Sequence, residues 1–197
     1  MRLVLSSRND HKLRELAALL RDHELVPLPA DVELPPETGA TFADNALVKA
    51  RAAADATGQA AIADDSGICA AALGGRPGVR SARYAGEHAS DTDNLTKLLR
   101  EVAAADGDRR VEYVCALALV DPEGGERLFE GRCTGTLATS PRGSGGFGYD
   151  PAFVPDDLPG ERTMAELDPA EKDAISHRGR AARALAEWLA TAGAAAR

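Results

Sequence analysis

The chain reads as an α/β protein built on a mixed β-sheet flanked by helices, and three observations carry that reading. Leu3-Val4-Leu5 is a short apolar strand that feeds at once into a helical pattern with Leu13, Leu16, Ala17 and Leu20 on one face. Val111 to Val120 is the longest strand-forming run, and it turns at Asp121-Pro122-Glu123-Gly124-Gly125 to return through Arg127–Gly131 and on to Leu137. Amphipathic helical stretches separate and follow these pieces. A hairpin joined to βα units needs antiparallel as well as parallel pairing, hence a mixed sheet. With 197 residues, 44% of them hydrophobic, residues 1–197 form one globular domain able to bury its own core.

The elements follow in order. Asn9 or Asp10 caps the first helix. Between Leu25 and Pro36, prolines interrupt Val26, Leu28, Val32 and Leu34, which predicts an extended connection or a short edge strand. Thr41 with Asp44 makes a capping box for a helix that runs to about Thr57 and stops at Gly58. On it Asn45 and Lys49 share a face, and Ala46, Val48 and Ala53 take the more buried positions. Ala60 to Ala63 reads as a short buried strand that Asp64-Asp65-Ser66-Gly67 brings to a stop. Ile68 to Leu73 then enters Gly74 to Gly86, a glycine-rich loop carrying Arg76, Arg80, Arg83 and Tyr84. Ser90-x-x-Asp93 opens an amphipathic helix to about Ala105, with Leu95, Leu98, Leu99 and Val102 on its core face.

After the hairpin, Ser140 to Pro151 is a second glycine-dense stretch. Glycine there suits close approach of backbone to a ligand, and Phe147 and Tyr149 either stack on a base or pack back on the core. Asp168-Pro169-Ala170-Glu171 combines cap, first-turn proline and capping glutamate, so a helix starts there. Ser176 to Arg180 interrupts or restarts it. Ala181, Leu185, Trp188 and Leu189 face the core from a last helix ending near Gly193, and Ala194 to Arg197 is a fraying tail.

Composition narrows the function. A net charge of −8 argues against a surface built to grip nucleic-acid polymers, although a small anion can still sit in a local basic pocket. Cys69, Cys115 and Cys133 are odd in number and set in apolar or strand-like surroundings, which reads as buried free thiols in a reducing compartment. The N-terminal apolar run is too short for a signal peptide and no stretch approaches membrane-spanning length, so a cytoplasmic protein is expected.

The chemistry concentrates around Asp64 and Asp65. Adjacent carboxylates at the end of a strand, beyond which ligands sit in an open α/β sheet, suit a hard cation such as Mg²⁺, which takes one or two carboxylates plus substrate phosphates. Period-two alternation sends the two side chains to opposite faces, so one can bind metal or take a proton while the other has a different job. Ser6 to Lys12 is a strand end entering a helix, a natural phosphate seat to which Lys12 adds a full charge. No glycine-rich spacing precedes Lys12, which excludes a Walker A loop. Glu37 and the Asn45/Lys49 face fall beside the same place if that face points inward.

Three segments, Ile62-Ala63-Asp64-Asp65-Ser66-Gly67, Gly145-Gly146-Phe147-Gly148-Tyr149-Asp150-Pro151 and Ile175-Ser176-His177-Arg178-Gly179, stand in the order and spacing of one family. Over nearly its whole length the chain resembles the HAM1/RdgB-like inosine triphosphate pyrophosphatases. The resemblance implies an elongated fold with a nucleotide cleft between two lobes, a homodimer, and Mg²⁺-dependent release of pyrophosphate from ITP, dITP and XTP. It implies that Ser7, Arg8, Asn9, Asp10, His11 and Lys12 hold the triphosphate, that Asp65 accepts a proton and binds metal with Glu37, that Ser66 touches substrate, and that Lys49 faces the phosphates. Phe147, Gly148, Tyr149, Asp150, Lys172, His177 and Arg178 are then expected around the base and sugar. One position departs: the family's turn usually reads Thr-Gly-Asn, and here it is Ser7-Arg8-Asn9. Arg8 is either strained, if that backbone needs φ > 0, or an added charge contact. A Maf-like nucleotide pyrophosphatase with another base preference, and a non-catalytic nucleotide-binding module, are the rival readings.

Overall fold

The computed structural model describes residues 1–105 and 107–195. Six strands form one sheet in the order β2-β1-β3-β4-β5-β6, with β1 at Arg2–Leu5, β2 at Glu24–Pro27, β3 at Ala61–Ala70, β4 at Arg110–Val120, β5 at Glu126–Leu137 and β6 at Phe153–Pro155. β1 pairs in parallel with β2 and β3, Val4 lying opposite Val26 and Ala61, whereas β5 and β6 are antiparallel with Thr136 opposite Val154. The sheet is mixed, as a hairpin joined to βα units requires. The α-helices are α1 (Asp10–Leu19), α2 (Phe42–Thr57), α3 (Asp91–Ala104), α4 (Pro169–Ile175) and α5 (His177–Ala195). None of the described helices is long and apolar enough to cross a membrane.

Local chemistry sets the helix ends. Asn9, not Asp10, caps α1, its side chain accepting from the His11 and Lys12 amides. Capping boxes open α2 at Thr41, α3 at Ser90 and α4 at Asp168. Gly58 ends α2 in the left-handed conformation (φ 63°) that glycine adopts without penalty. Helix α5 extends to Ala195, past Gly193, and the expectation for Ala196 and Arg197 lies outside the described residues.

The chain divides into two compact units. The first comprises Met1–Asp65, Cys115–Gly131 and Arg178–Arg197, the second Ser66–Val114 and Arg132–His177. In the first unit, alternate strand residues feed two separate cores. Leu3, Leu5, Ile62, Cys115, Leu117 and Leu119 pack with Leu16 and Leu20 at α1 and with Ala181, Leu185 and Leu189 of α5. Val4, Ala61, Ala63, Ala116, Ala118 and Val120 pack with Ala46, Ala50, Ala53 and Ala54 of α2. Alanine on both sides of that second core lets helix and strands approach closely. The second unit has one core, in which Leu95, Leu98 and Val102 of α3 meet Ile68, Val111, Tyr113, Leu137 and Phe153.

Four expectations need correction. Strand β3 does not stop at Ala63: it runs through Asp64-Asp65-Ser66-Gly67 to Ala70. Val48 is 39% exposed, because the buried arc of α2 passes through Asn45, Ala46, Lys49, Ala50 and Ala53. Ala17 is exposed, and the half-buried Leu19 packs on that core instead. The stretch from Ala71 to Arg83 is more ordered than a glycine-rich loop, holding 3₁₀ turns at Ala71–Leu73 and Gly78–Arg83. Cys69, Cys115 and Cys133 are all free thiols.

Candidate active site

Two carboxylates in mid-strand are costly unless partners reach them, and in the first unit partners arrive on both faces of β3. Asp64 continues the parity of Ile62, toward α1 and α5. Its Oδ2 lies 3.0 Å from Lys12 Nζ and accepts from Arg178 Nη2 at 3.0 Å. Arg178, only 2% exposed, also donates to Glu15 Oε2 at 2.5 Å. Asp65 continues the parity of Ala61 and Ala63, toward α2. It accepts from Asn45 Nδ2 at 2.9 Å, and Lys49 Nζ stands 3.9 Å from its Oδ1. The same ammonium donates to Glu37 Oε1 at 2.5 Å and to the Asp64 carbonyl at 2.8 Å. Asn45 is held in turn by the Gly39 amide, which donates to its Oδ1 at 2.8 Å; a Cβ on Gly39 would fall 2.7 Å from that oxygen.

These surroundings push the two carboxyls in opposite directions. Burial opposes ionisation of Asp64, but the charges of Lys12, Arg178 and Lys49 outweigh it and hold the group far below the usual carboxylate range. For Asp65 burial wins: reinforced by Glu37, it outweighs Lys49, Lys12 and the Asn45 hydrogen bond, and the pKa is raised. Burial likewise works against the Lys49 ammonium, yet Asp64, Asp65 and Glu37 raise its pKa and keep it charged. One carboxylate is thus held toward its ionised form, and its neighbour is suited to take a proton.

Glu37 and Asp65 both face Lys49, so two carboxylates share one ammonium. Oxygen donors with that excess of negative charge fit a hard divalent cation. Among the described residues no three His, Cys, Asp or Glu side chains gather to hold a metal ion by themselves, so such a cation would complete its shell with ligand oxygens.

The phosphate-turn residues distribute unevenly. Ser6 is buried and donates to the Lys49 carbonyl, while Asn9 receives the His11 and Lys12 amides, so those two donors are already capped. Ser7 Oγ accepts from the Asn9 amide at 3.2 Å. Asp10 and His11 are exposed, His11 lying 3.1 Å from Arg14. Among the described residues no non-glycine has positive φ, so Arg8 carries no left-handed strain. Its guanidinium reaches neither Asp64 nor Asp65 and instead donates to backbone carbonyls of Leu28, Pro29 and Val32.

The second unit builds its own cluster around Asp150. The carboxylate accepts from Lys172 Nζ at 2.7 Å, from the Phe147 amide at 2.9 Å and from Tyr113 Oη at 3.1 Å. Lys172 also lies 5.0 Å from the Phe147 ring centroid. Tyr113 is sandwiched between Phe153 and His177, with ring centroids 4.4 and 4.5 Å away. Tyr149 is buried and donates to the Ser81 carbonyl, while the Gly148 amide donates to Asp91. Ser66 is half-buried on β3. Of the two fates open to the aromatics, Tyr149 packs into the core and Phe147 stays half-buried beside a lysine.

Sequence reasoning did not single out Glu15, Gly39 or Tyr113. Glu15 sits one helical turn after Lys12, a spacing that could have pointed to it. Tyr113 gives no such signal, because its role is set by stacking on residues 40 and 64 positions away, Phe153 and His177.

The chain is similar to known proteins over most of its length. The family model described as the Ham1 family matches residues 3–188. A dITP/XTP pyrophosphatase of Streptomyces coelicolor is 52% identical over 192 residues, covering 93% of this chain and 94% of the relative. The solved HAM1 protein of Coxiella burnetii superposes with a TM-score of 0.89 at 44% identity, over 97% of this chain and 99% of that one. A Mycobacterium abscessus structure named nucleoside-triphosphatase and dITP/XTP pyrophosphatase gives 0.75 at 50% identity, over 94% and 98% of the two chains. By sequence and by fold, the chain belongs to the Ham1 family.

Proposed function

We propose that this chain is a Mg²⁺-dependent pyrophosphohydrolase that converts ITP, dITP and XTP to the monophosphate and pyrophosphate, removing non-canonical purine nucleotides from the pool. The observation that carries the reading is the successive pair on β3, with Asp64 held by Lys12 and Arg178 and Asp65 facing Lys49 beside Glu37. The relatives named dITP/XTP pyrophosphatase support the substrate class.

In this reading water attacks the α-phosphorus, its proton passes to Asp65, and the bond to the bridging oxygen breaks as pyrophosphate leaves. Asn45 holds the accepting carboxylate in place. Glu37 and Asp65 would hold Mg²⁺, which supplies compact positive charge against the phosphates and makes water more acidic. Lys49 offsets negative charge at the attack site, and Lys12, with Ser7 and Asn9 at the start of α1, receives the departing phosphates. Arg178, which the resemblance puts beside the base and sugar, donates to Asp64 and Glu15, so in this reading it acts with Asp64 through Lys12 by fixing where that ammonium stands.

Phe147, Gly148, Tyr149, Asp150, Lys172 and His177 serve the base and sugar, with Phe147 stacking and Lys172 reading a 6-oxo group. A 6-amino group in place of the carbonyl leaves buried donors unpaired, which rejects ATP strongly. A homodimer in the cytoplasm belongs to the same reading. With purified protein and Mg²⁺, ITP and XTP are expected to yield monophosphate plus pyrophosphate, with ATP turned over far more slowly. Orthophosphate plus a diphosphate would show a γ-phosphatase, and preference for modified pyrimidine nucleotides would point to a Maf-like enzyme. Asp65→Asn should lower kcat by about 10²–10⁴-fold with an unchanged circular dichroism spectrum; full activity in that variant removes Asp65 as the proton acceptor.

A further inference from the structure

Arg8 lies in the turn between β1 and α1, and its guanidinium binds backbone carbonyls of residues 28, 29 and 32 and not the anionic centre of the site. Nη1 donates to the Leu28 carbonyl at 2.8 Å, and Nη2 donates to those of Pro29 and Val32 at 2.6 and 2.9 Å. The recipients belong to the segment that follows β2. That strand ends at Pro27, and Pro27 and Pro29 have no N–H with which to extend the ladder. The guanidinium therefore does for this segment what a neighbouring strand would otherwise do, with charge-assisted bonds in a forked geometry that lysine cannot reproduce.

Where the segment leads gives the contact its meaning. Val32 and Leu34 pack against the alanine-rich core, Pro35 and Pro36 follow, and Glu37 comes next, at 2.5 Å from Lys49. Two consecutive prolines fix φ and make a stiff connection, so the anchor at Val32 limits where the Glu37 carboxylate can start. We propose that Arg8 is a positioning residue, a clasp that ties the phosphate turn to the proline-rich segment and so holds Glu37 against Lys49 and Asp65. Its effect on turnover rests on the metal-dependent reading above; the clasp itself does not.

The experiment compares wild type, Arg8→Lys and Arg8→Ala. Hydrogen exchange followed by mass spectrometry, without metal or nucleotide, should show residues 28–38 exchanging about tenfold faster in Arg8→Ala, with Arg8→Lys intermediate and α3 unchanged. In ITP turnover, the Mg²⁺ concentration for half-maximal rate should rise about fivefold in Arg8→Ala, a larger change than any fall in kcat at saturating Mg²⁺. Wild-type exchange of residues 28–38 in Arg8→Ala overturns the clasp. So does weaker inhibition by pyrophosphate at an unchanged Mg²⁺ requirement, which identifies Arg8 as a direct phosphate contact. A wild-type protein that leaves ITP intact withdraws the functional reading, and the exchange comparison still decides the clasp.

Discussion

Asp64 and Asp65 are neighbours on one strand and opposites in their electrostatics. Alternation along a strand made their opposite facing legible; the partners were not, since Arg178 lies 114 residues from Asp64 in sequence and 163 from Glu15. Asp64→Asn should destabilise the fold by about 3–5 kcal/mol, because it removes the buried anion that Lys12 and Arg178 both face, although Glu15 still holds Arg178. Urea denaturation measures this, and a loss below 1 kcal/mol on the scale of a surface pair would mean the pair is solvated. Cys115 offers a pH test. Burial, with Asp64's charge behind it, pushes its thiol from the ordinary 9 up to about 12. The folded state then holds that proton where the unfolded chain releases it. Its contribution is complete below pH 9 and is lost as pH rises through 9 toward 12, and Cys115→Ser should flatten that alkaline decline.

At the scale of elements, the caps were readable because a capping box involves four consecutive residues and no tertiary contact. Thr41→Ala removes the Oγ that accepts from the Asp44 amide and should cost about 1 kcal/mol in thermal or denaturant unfolding. The end of β3 was not readable. A run of Asp-Asp-Ser-Gly reads as a turn when its charges are left to water, and as a strand once α1, α2 and α5 bring cations and amides to it. Gly67 completes the account. Any Cβ there would strike Ser81 Oγ and lie 2.6 Å from the Gly78 carbonyl, while Ser81 Oγ itself accepts from the Ile68 amide. Gly67→Ala should lower stability by about 1–3 kcal/mol through that overlap, and an unchanged melting temperature would show that the 3₁₀ turn at Gly78–Arg83 simply moves aside.

At the scale of the whole molecule, each compact unit carries its own apolar packing, two cores in the first and one in the second, and its own polar cluster, Asp64–Asp65 in the first and Asp150–Lys172 in the second. Reagent access to the thiols tests the burial of one core in each unit, through Cys115 in the first and Cys133 in the second. Cys115 and Cys133 are buried and Cys69 half-buried, so native protein should expose at most one thiol to a small disulfide reagent and denatured protein all three. The sequence alone determined the mixed sheet, the helix starts, the two faces of the acidic pair and the segments that mark the family, because these follow from short-range periodicity, capping and motif. Tertiary structure alone decided that the acidic pair lies inside a strand, that nearby cations keep Asp64 ionised while burial raises the pKa of Asp65, and that Arg8 binds carbonyls. Charge compensation and burial depend on which distant side chains arrive, and no local pattern encodes that.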